Sequence, residues 1–263
     1  MRSRDPAHGF GPEHRSGALA LTFDNLGEAS ELERGTLPAG EPRGWHPSVT
    51  EALPRLLSEL DRLALRATFF VEASNCELYP AALLEIARRG HELAMHGWRH
   101  EPWSKLEPTR ERELLRRSVD AFASLGEPVR GFRPPGGELT AASPALLREA
   151  GITWCSPGGG RAGVRAGLAY VPFEWRLVDA YHLMERFTAD PLAPGAAAEL
   201  IARELDALAS AGRFGTLVLH PFLMLDSAWW TGALELLARV RALQDRVWVV
   251  PAGRFAEWLE EAA

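Results

Sequence analysis

Ala18-Leu19-Ala20-Leu21-Thr22-Phe23-Asp24-Asn25 opens as a short apolar run and stops on two polar residues. Such a run reads as a strand buried on both faces, the kind that parallel sheets contain. The same reading recurs at 67–71, 91–95, 129–132, 152–155, 169–172, 216–219 and 247–250. Between these runs lie helical patterns at 48–63, 80–89, 109–124, 143–151, 195–211, 229–242 and 255–259. Several carry start or stop signals, such as Pro80, Gly90, Gly126, Pro144 and Gly151. Strands alternating with helices imply a parallel sheet with right-handed crossovers. The expectation is an α/β fold, a single-domain distorted (β/α) barrel with seven or eight mainly parallel strands. An open doubly wound sheet usually has a Gly-rich first turn, and Asp24-Asn25-Leu26-Gly27 is not one.

The chain has 263 residues, enough for one large α/β domain. Residues 17–263 read as that domain, and 1–16, polar and rich in Arg, His, Gly and Pro, as a flexible tail. A net charge of −6 argues against nucleic acid or an anionic membrane as partner. Cys76 and Cys155 cannot make a disulfide framework, and both read as small buried apolar residues. The tail has no apolar signal core, and no run approaches the roughly 20 residues of a membrane span. The expected location is the cytoplasm. The stretch 26–47 is a long Gly- and Pro-rich connection, of the kind that is often functional or mobile. Gly158-Gly159-Gly160 has no helix start directly after it and reads as a plain loop rather than a phosphate cradle.

Polar residues able to do chemistry fall at the ends of these runs. Asp24 follows the first, His96 the third and Arg133 the fourth; Asp179 follows the run near Val171, and His220 the run at 216–219. In a β/α barrel these ends open on one face, where such enzymes place their active sites. His96 and His100, four residues apart, are expected on one side of a helical turn, within reach of one divalent metal. Gly97 stands where a zinc protease would carry Glu, so the pair is not that motif. Taken singly, each has a plainer reading: Arg133 as a surface or ion-paired residue, Asp24 as a helix cap, His220 as a core histidine, Trp98 and Trp175 as packing. Their joint placement favours a site. His91 and His182 read as structural, and His46 lies in the long loop.

These residues resemble the polysaccharide deacetylases of the NodB-homology type, carbohydrate esterase family four. Thr22-Phe23-Asp24-Asn25 is similar to the family's Thr-Phe-Asp-Asp, and His96 to His100 to its His-x-x-x-His. Arg133-Pro134-Pro135-Gly136 is similar to its Arg-x-Pro motif, and Leu217-Val218-Leu219-His220 to its last strand end. The resemblance runs from Ala18 to about Pro251, in the family's order. His-Gly-Trp-x-His-Glu, with Pro172, Trp175 and Asp179 downstream, looks more like the cytoplasmic branch of peptidoglycan-deacetylase-like proteins and hydrolases of allantoin and cyclic imides.

The resemblance implies metal-assisted deacetylation of an N-acetylated amino sugar or related small N-acyl compound. It implies a zinc-like ion held by His96, His100 and Asn25, with Asp24 as general base, Arg133 pairing with Asp24, His220 as general acid and Asp179 orienting His220. Trp98, Pro134, Trp175 and Phe222 would wall the substrate pocket. The implied partners are a small-molecule or oligosaccharide substrate and, as in much of this branch, further copies of the chain. Asn25 departs from the family's Asp, and three readings stay open. Asn25 still ligates a loosely held metal, Asp24 takes over as ligand, or the site works without tightly bound metal. Ring opening of a cyclic amide or imide is the alternative activity, and a non-catalytic carbohydrate-binding protein the second alternative.

Overall fold

β1 (Gly17–Asp24) is the strand around which the sheet is built. In the computed structural model, which describes residues 9–38 and 40–262, it has three parallel neighbours. β8 (Phe214–Leu219) pairs along most of its length, from Ala18 to Phe23. The opposite edge is divided, because a strand edge holds one partner at a time. β9 (Val247–Val250) takes Gly17 to Ala20, and β2 (Thr68–Val71) takes Thr22 to Asp24.

In chain order, β1 leads into α1 (Ala29–Arg34) and a π-helical turn at Ser48–Ala52 that continues as α2 (Leu53–Arg62). Pro54 stands in the first turn of α2 and has no N–H to offer residue 50, so the α ladder begins only there. β2 is followed by α3 (Asn75–Leu78) and α4 (Pro80–Arg88), β3 (Glu92–Met95) by α5 (Pro108–Leu125), and β4 (Gly131–Phe132) by α6 (Ser143–Glu149). Then come β5 (Trp154–Cys155), β6 (Gly163–Arg165), β7 (Leu168–Tyr170), α7 (Asp179–Leu183) and α8 (Pro194–Ser210). β8 is followed by α9 (Ser227–Leu243), and β9 by α10 (Ala252–Ala262).

The strand order is β6-β7-β5-β4-β3-β2-β1-β8, with β9 beside β1. All pairings are parallel except β6 with β7. The sheet is a curled, mainly parallel half-barrel with β6 and β8 at its two ends. The expected α/β barrel class holds, with one strand more than the seven or eight expected. The extra strand, β6, is three residues long and half-exposed, too short to show a period. Likewise α1, α3 and α7, at six, four and five residues, fall below the length at which helical spacing can be read.

Two-residue alternation separates the faces. Leu19, Leu21 and Phe23 of β1, with Phe69, Val71, Leu93, Met95, Phe132 and Leu217, pack under the helices. Ala18 and Ala20, with Phe70, Ala94, Trp154, Ala169 and Val250, face the other way and meet Phe255, Ala256 and Trp258 of α10. Gly131 is required on this inner face, since a Cβ there would lie 2.0 Å from the Trp154 ring. Residues 1–8 of the expected tail lie outside the described residues. The remainder of that segment packs on the domain: Phe10 is buried, its ring 5.6 Å from Trp258, and its backbone bridges to Arg15. Among the described residues no helix is long and apolar enough to cross a membrane.

His91 is structural, as expected. Its Nδ1 accepts the Ala67 N–H at 3.3 Å, while its Nε2 is buried without a partner. Burial pushes the imidazole down to about 4. A histidine held neutral contributes stability that is fully present above about pH 6.5 and fades as the pH falls towards 4. His91→Gln, which keeps an acceptor for Ala67, should therefore lose less melting temperature between pH 7 and pH 4.5 than the wild type. Equal losses in thermal scans at the two pH values would show that His91 does not couple to folding.

Candidate active site

The inner-face alternation that places Ala18 and Ala20 also places Thr22 and Asp24, and it carries on past the ends of other strands. Ala94 leads to His96, Trp154 to Ser156, and Val218 to His220. Asp24, Asn25, His96, His100, Arg133 and His220 line one cavity of about 580 Å³.

Arg133 is almost entirely buried, and its guanidinium ties three strand ends together. Nη1 donates to Asp24 Oδ1 at 2.5 Å and to Thr22 Oγ1 at 3.0 Å. Nε and Nη2 both donate to Ser156 Oγ, at 3.2 and 2.9 Å. Thr22 passes its own hydroxyl hydrogen to the Leu217 carbonyl at 2.8 Å. The guanidinium plane stacks on Phe70, 3.9 Å from the ring centroid, so its less polar face is covered as well. The expected Arg133–Asp24 pair is therefore present, and its polar atoms are satisfied.

His96 sits just past β3, and its Nδ1 is 2.9 Å from the Arg133 carbonyl oxygen. A carbonyl only accepts, so Nδ1 carries the hydrogen and Nε2 keeps its lone pair. The link from His96 to His100 is not the expected helical turn. Gly97 and His100 both have positive φ, +75° and +72°, which closes a tight turn. The Glu101 carboxylate accepts the Trp98 and Arg99 N–H groups at 3.0 and 3.1 Å and braces that turn. A Cβ at position 97 would come within 2.8 Å of Glu101 Oε2, so the position calls for glycine on two counts. The turn still brings the imidazoles together, with ring centroids 5.0 Å apart. Burial lowers both: His96 falls to about 3, despite the Arg133 carbonyl, and His100 falls well below its usual value. Both rings are neutral at neutral pH, the form that binds metals.

Asn25 occupies the left-handed region at φ +61°, which Asn tolerates better than most residues. Its Nδ2 donates to Glu72 Oε1 at 2.7 Å. Glu72 lies directly after β2 and is fully buried; its other oxygen accepts from Leu26 N at 3.3 Å and from Asn75 Nδ2 at 3.4 Å. Burial pushes the Glu72 carboxyl up to about 8, against the pull of the N–H groups around it. The strand-end rule that picks out Asp24, His96, Arg133 and His220 also points to Glu72 when applied to the second run.

Across the cavity, Asp179 accepts from the His220 backbone N–H at 2.8 Å and from His220 Nδ1 at 2.5 Å. Asp179 is buried at the start of α7 and fixes the ring with Nε2 free, as expected of an orienting residue. Pro134 and Trp175 line the cavity, as expected of pocket residues, and so do Phe173 and Phe187, which the sequence reading passed over. Trp98 does not line it. Its buried ring stacks under Arg117, 3.6 Å from the guanidinium carbon, on the α5 side of the sheet. Phe222 packs edge-on against His220, with centroids 5.4 Å apart, and supports the ring from outside the cavity wall. His46 bonds Ser48 and stays outside the lining, while His182 bonds the Arg176 carbonyl.

Among the described residues, no cluster of three or more His, Cys, Asp or Glu side chains is placed to hold a metal ion. Two neutral imidazoles and the Asn25 amide line the cavity together. Among the described residues Asn25 Oδ1 has no hydrogen-bond partner. The donor set fits a divalent ion through two nitrogens and one oxygen, without a carboxylate in direct contact.

The sequence profile of the family described as Polysaccharide deacetylase matches residues 12–155, more than half of the chain. The chain belongs to the polysaccharide deacetylase family. A solved structure from Mycobacterium smegmatis, assigned to the same family, is 31% identical, covers 96% of this chain and 93% of its own, and superposes with a TM-score of 0.83. A peptidoglycan-N-acetylglucosamine deacetylase of Bacillus cereus is 25% identical over 51% of this chain and 41% of its own length. The chain spans less than half the length of the curated relatives it matches first. An allantoinase structure shares the fold, with a TM-score of 0.81 over 98% of this chain and 95% of its own, at 16% identity.

The buried Arg133–Asp24 pair makes a stability prediction. Arg133→Met leaves Asp24 buried without its cation and should cost about 3–5 kcal/mol in urea unfolding, typical of breaking a buried pair from one side. Arg133→Met combined with Asp24→Leu should cost less than the sum of the two single changes. Strictly additive losses in that double-mutant cycle would show that the two groups do not depend on each other.

Proposed function

We propose that this chain hydrolyses an amide C–N bond, removing the acyl group from an N-acetylated amino sugar or a related small N-acyl compound. The observation that carries this reading is the convergence of two oriented pairs, Arg133–Asp24 and Asp179–His220, on one cavity with two neutral imidazoles. Asp24 has one oxygen held by Arg133 and the other free to take a proton from water. His220 has Nδ1–H held on Asp179, a partner that supports the imidazolium form, and in that form its Nε2–H can pass to the departing nitrogen. The water oxygen forms the new C–O bond, the C–N bond breaks, and its electron pair takes the proton from His220. The rings of Phe173, Trp175 and Phe187 give the cavity an apolar wall suited to the faces of a sugar ring. A volume of about 580 Å³ suits a small ligand or one or two sugar units. Membership of the polysaccharide deacetylase family, and the activity named for the Bacillus cereus relative, agree with this reading.

A divalent ion, zinc in the first instance, would be held by His96, His100 and Asn25 Oδ1. Bound there, it would polarise the acyl oxygen and acidify water.

A second reading, ring opening of a cyclic amide or imide, uses the same base and acid. The neutral side chain of Asn25 favours it, because an imide carbonyl is more electrophilic than an acetamide and needs less help from a tightly held ion. The fold does not choose between the two, since an allantoinase shares it.

Release of acetate from N-acetylglucosamine oligomers and N-acetylmuramic acid, measured beside opening of hydantoin, allantoin and succinimide, separates the readings. Asp24→Ala and His220→Ala should each lower kcat on the true substrate by about 10²–10⁴-fold, the usual weight of a positioned acid or base. No hydrolysis anywhere on the panel, with or without added zinc or cobalt, would sink both readings. An Asp24→Ala protein with unchanged turnover would remove Asp24 from the mechanism.

A further inference from the structure

One buried carboxylate at the site has no part in the base or acid pairs. Glu72 is fully buried, and no ion pair among the described residues includes it. Its hydrogen-bond partners are all donors, Asn25 Nδ2, Leu26 N and Asn75 Nδ2, while the nearby Asp24 carboxylate repels it. Asn75 is itself anchored, its Nδ2 also donating to the Leu26 carbonyl at 2.8 Å. The Asn25 amide meets the Glu72 carboxyl through Nδ2, which donates to Oε1. Glu72 thus decides which way the amide points, and Asn25 Oδ1 is left without a partner among the described residues, at the cavity that His96 and His100 also line. The N–H···O bond behind the amide also draws electron density towards Oδ1 and makes it a better oxygen donor.

We propose that Glu72 is the positioning residue of a cation site, and that Glu72 and Asn25 act as one acidic unit that presents Asn25 Oδ1, with His96 and His100, to a divalent ion. The carboxyl group stands one hydrogen bond behind the ligand atom rather than on it. This rests on the reading of the cavity as a metal-assisted amidase site. It explains why Asp at position 25 does not suit this chain: with Glu72 2.7 Å from the side chain, two buried carboxyl groups would share a space where both cannot ionise. Asn25→Asp alone is therefore not a simple restoration of a metal ligand, whereas Asn25→Asp with Glu72→Gln exchanges the two roles and keeps the charge.

Cobalt binding to chelator-stripped protein, followed by calorimetry and visible absorption, reads the proposal directly, with melting temperature in EDTA as the companion measurement. Glu72→Gln should weaken cobalt binding by about 10–100-fold, the usual effect of losing a residue that orients a ligand. Asn25→Asp should melt below wild type in EDTA. The double variant should recover that loss and bind cobalt at least as tightly as wild type. Asn25→Ala, which leaves Glu72 its other two donors, should lose cobalt as well, and it serves where Glu72→Gln does not fold. Cobalt affinity unchanged in Glu72→Gln, or Asn25→Asp as stable as wild type in EDTA, would overturn the proposal by reducing Glu72 to an anchor for the loop. Wild type that binds no cobalt yet releases acetate from N-acyl sugars also overturns it, while leaving the amidase reading intact. Cobalt binding as expected with no hydrolysis on any substrate does the reverse.

Discussion

The Arg133 guanidinium fixes where everything else at the site can stand. It is buried under Phe70, it holds Asp24 from β1 and Ser156 from beyond β5, and its own carbonyl receives His96 from beyond β3. One residue thus sets the Asp24 carboxylate, the tautomer of an imidazole and the spacing of three strand ends. A buried cation is costly to desolvate and persists only where its donors are met, so this network tolerates little displacement. The inner face makes room for it with small neighbours, since Ala18, Ala20 and Ala94 leave space that Phe70, Trp154 and the α10 aromatics fill from below.

The rest of the site repeats this arrangement with other residues. Each group suited to a role in the reaction is held by a second group. Arg133 holds Asp24, Asp179 holds His220, the Arg133 carbonyl holds His96, Glu101 holds the turn to His100, and Glu72 holds Asn25. Orientation matters because hydrolysis needs a base, an acid and an oxygen-binding position around one carbonyl, and errors of an ångström there are expensive in rate.

Much of this was legible in the sequence because parallel strands make the argument short. An apolar run that ends on a charged residue places that residue on the open rim of the sheet, and Asp24, His96, Arg133 and His220 all follow from it. The Arg133–Asp24 and Asp179–His220 pairings came from the family resemblance, and both stand in the structure. What failed to show was local geometry. His96 and His100 fit the spacing of a helix, yet Gly97 and His100 take positive φ and make a turn. Trp98 lies between them in sequence and looked like a pocket wall, but that turn sends its ring outward to Arg117. Phe173 and Phe187 sit in irregular segments, where no period shows which way a side chain points. Glu72 was legible by the same rule as the others, since Val71 is the last residue of an apolar run.

Charge bookkeeping around the cavity gives the site its remaining logic. The Asp24 carboxylate is answered by Arg133, and the Asp179 carboxylate by the backbone N–H and the ring Nδ1 of His220. His96 and His100 are neutral and offer lone pairs. Glu72 has donors but no cation among the described residues, and it lies behind Asn25, which lines the cavity with the two imidazoles. A buried carboxylate without a counter-charge is unfavourable in a folded protein unless something else compensates it. The three N–H groups around Glu72 do part of that, and the carboxyl, pushed up to about 8 by burial, does the rest by holding its proton. On the proposal above, an amide at position 25 does not strip the site of its acidic group. The carboxyl sits one hydrogen bond further back, behind a ligand atom that is itself neutral.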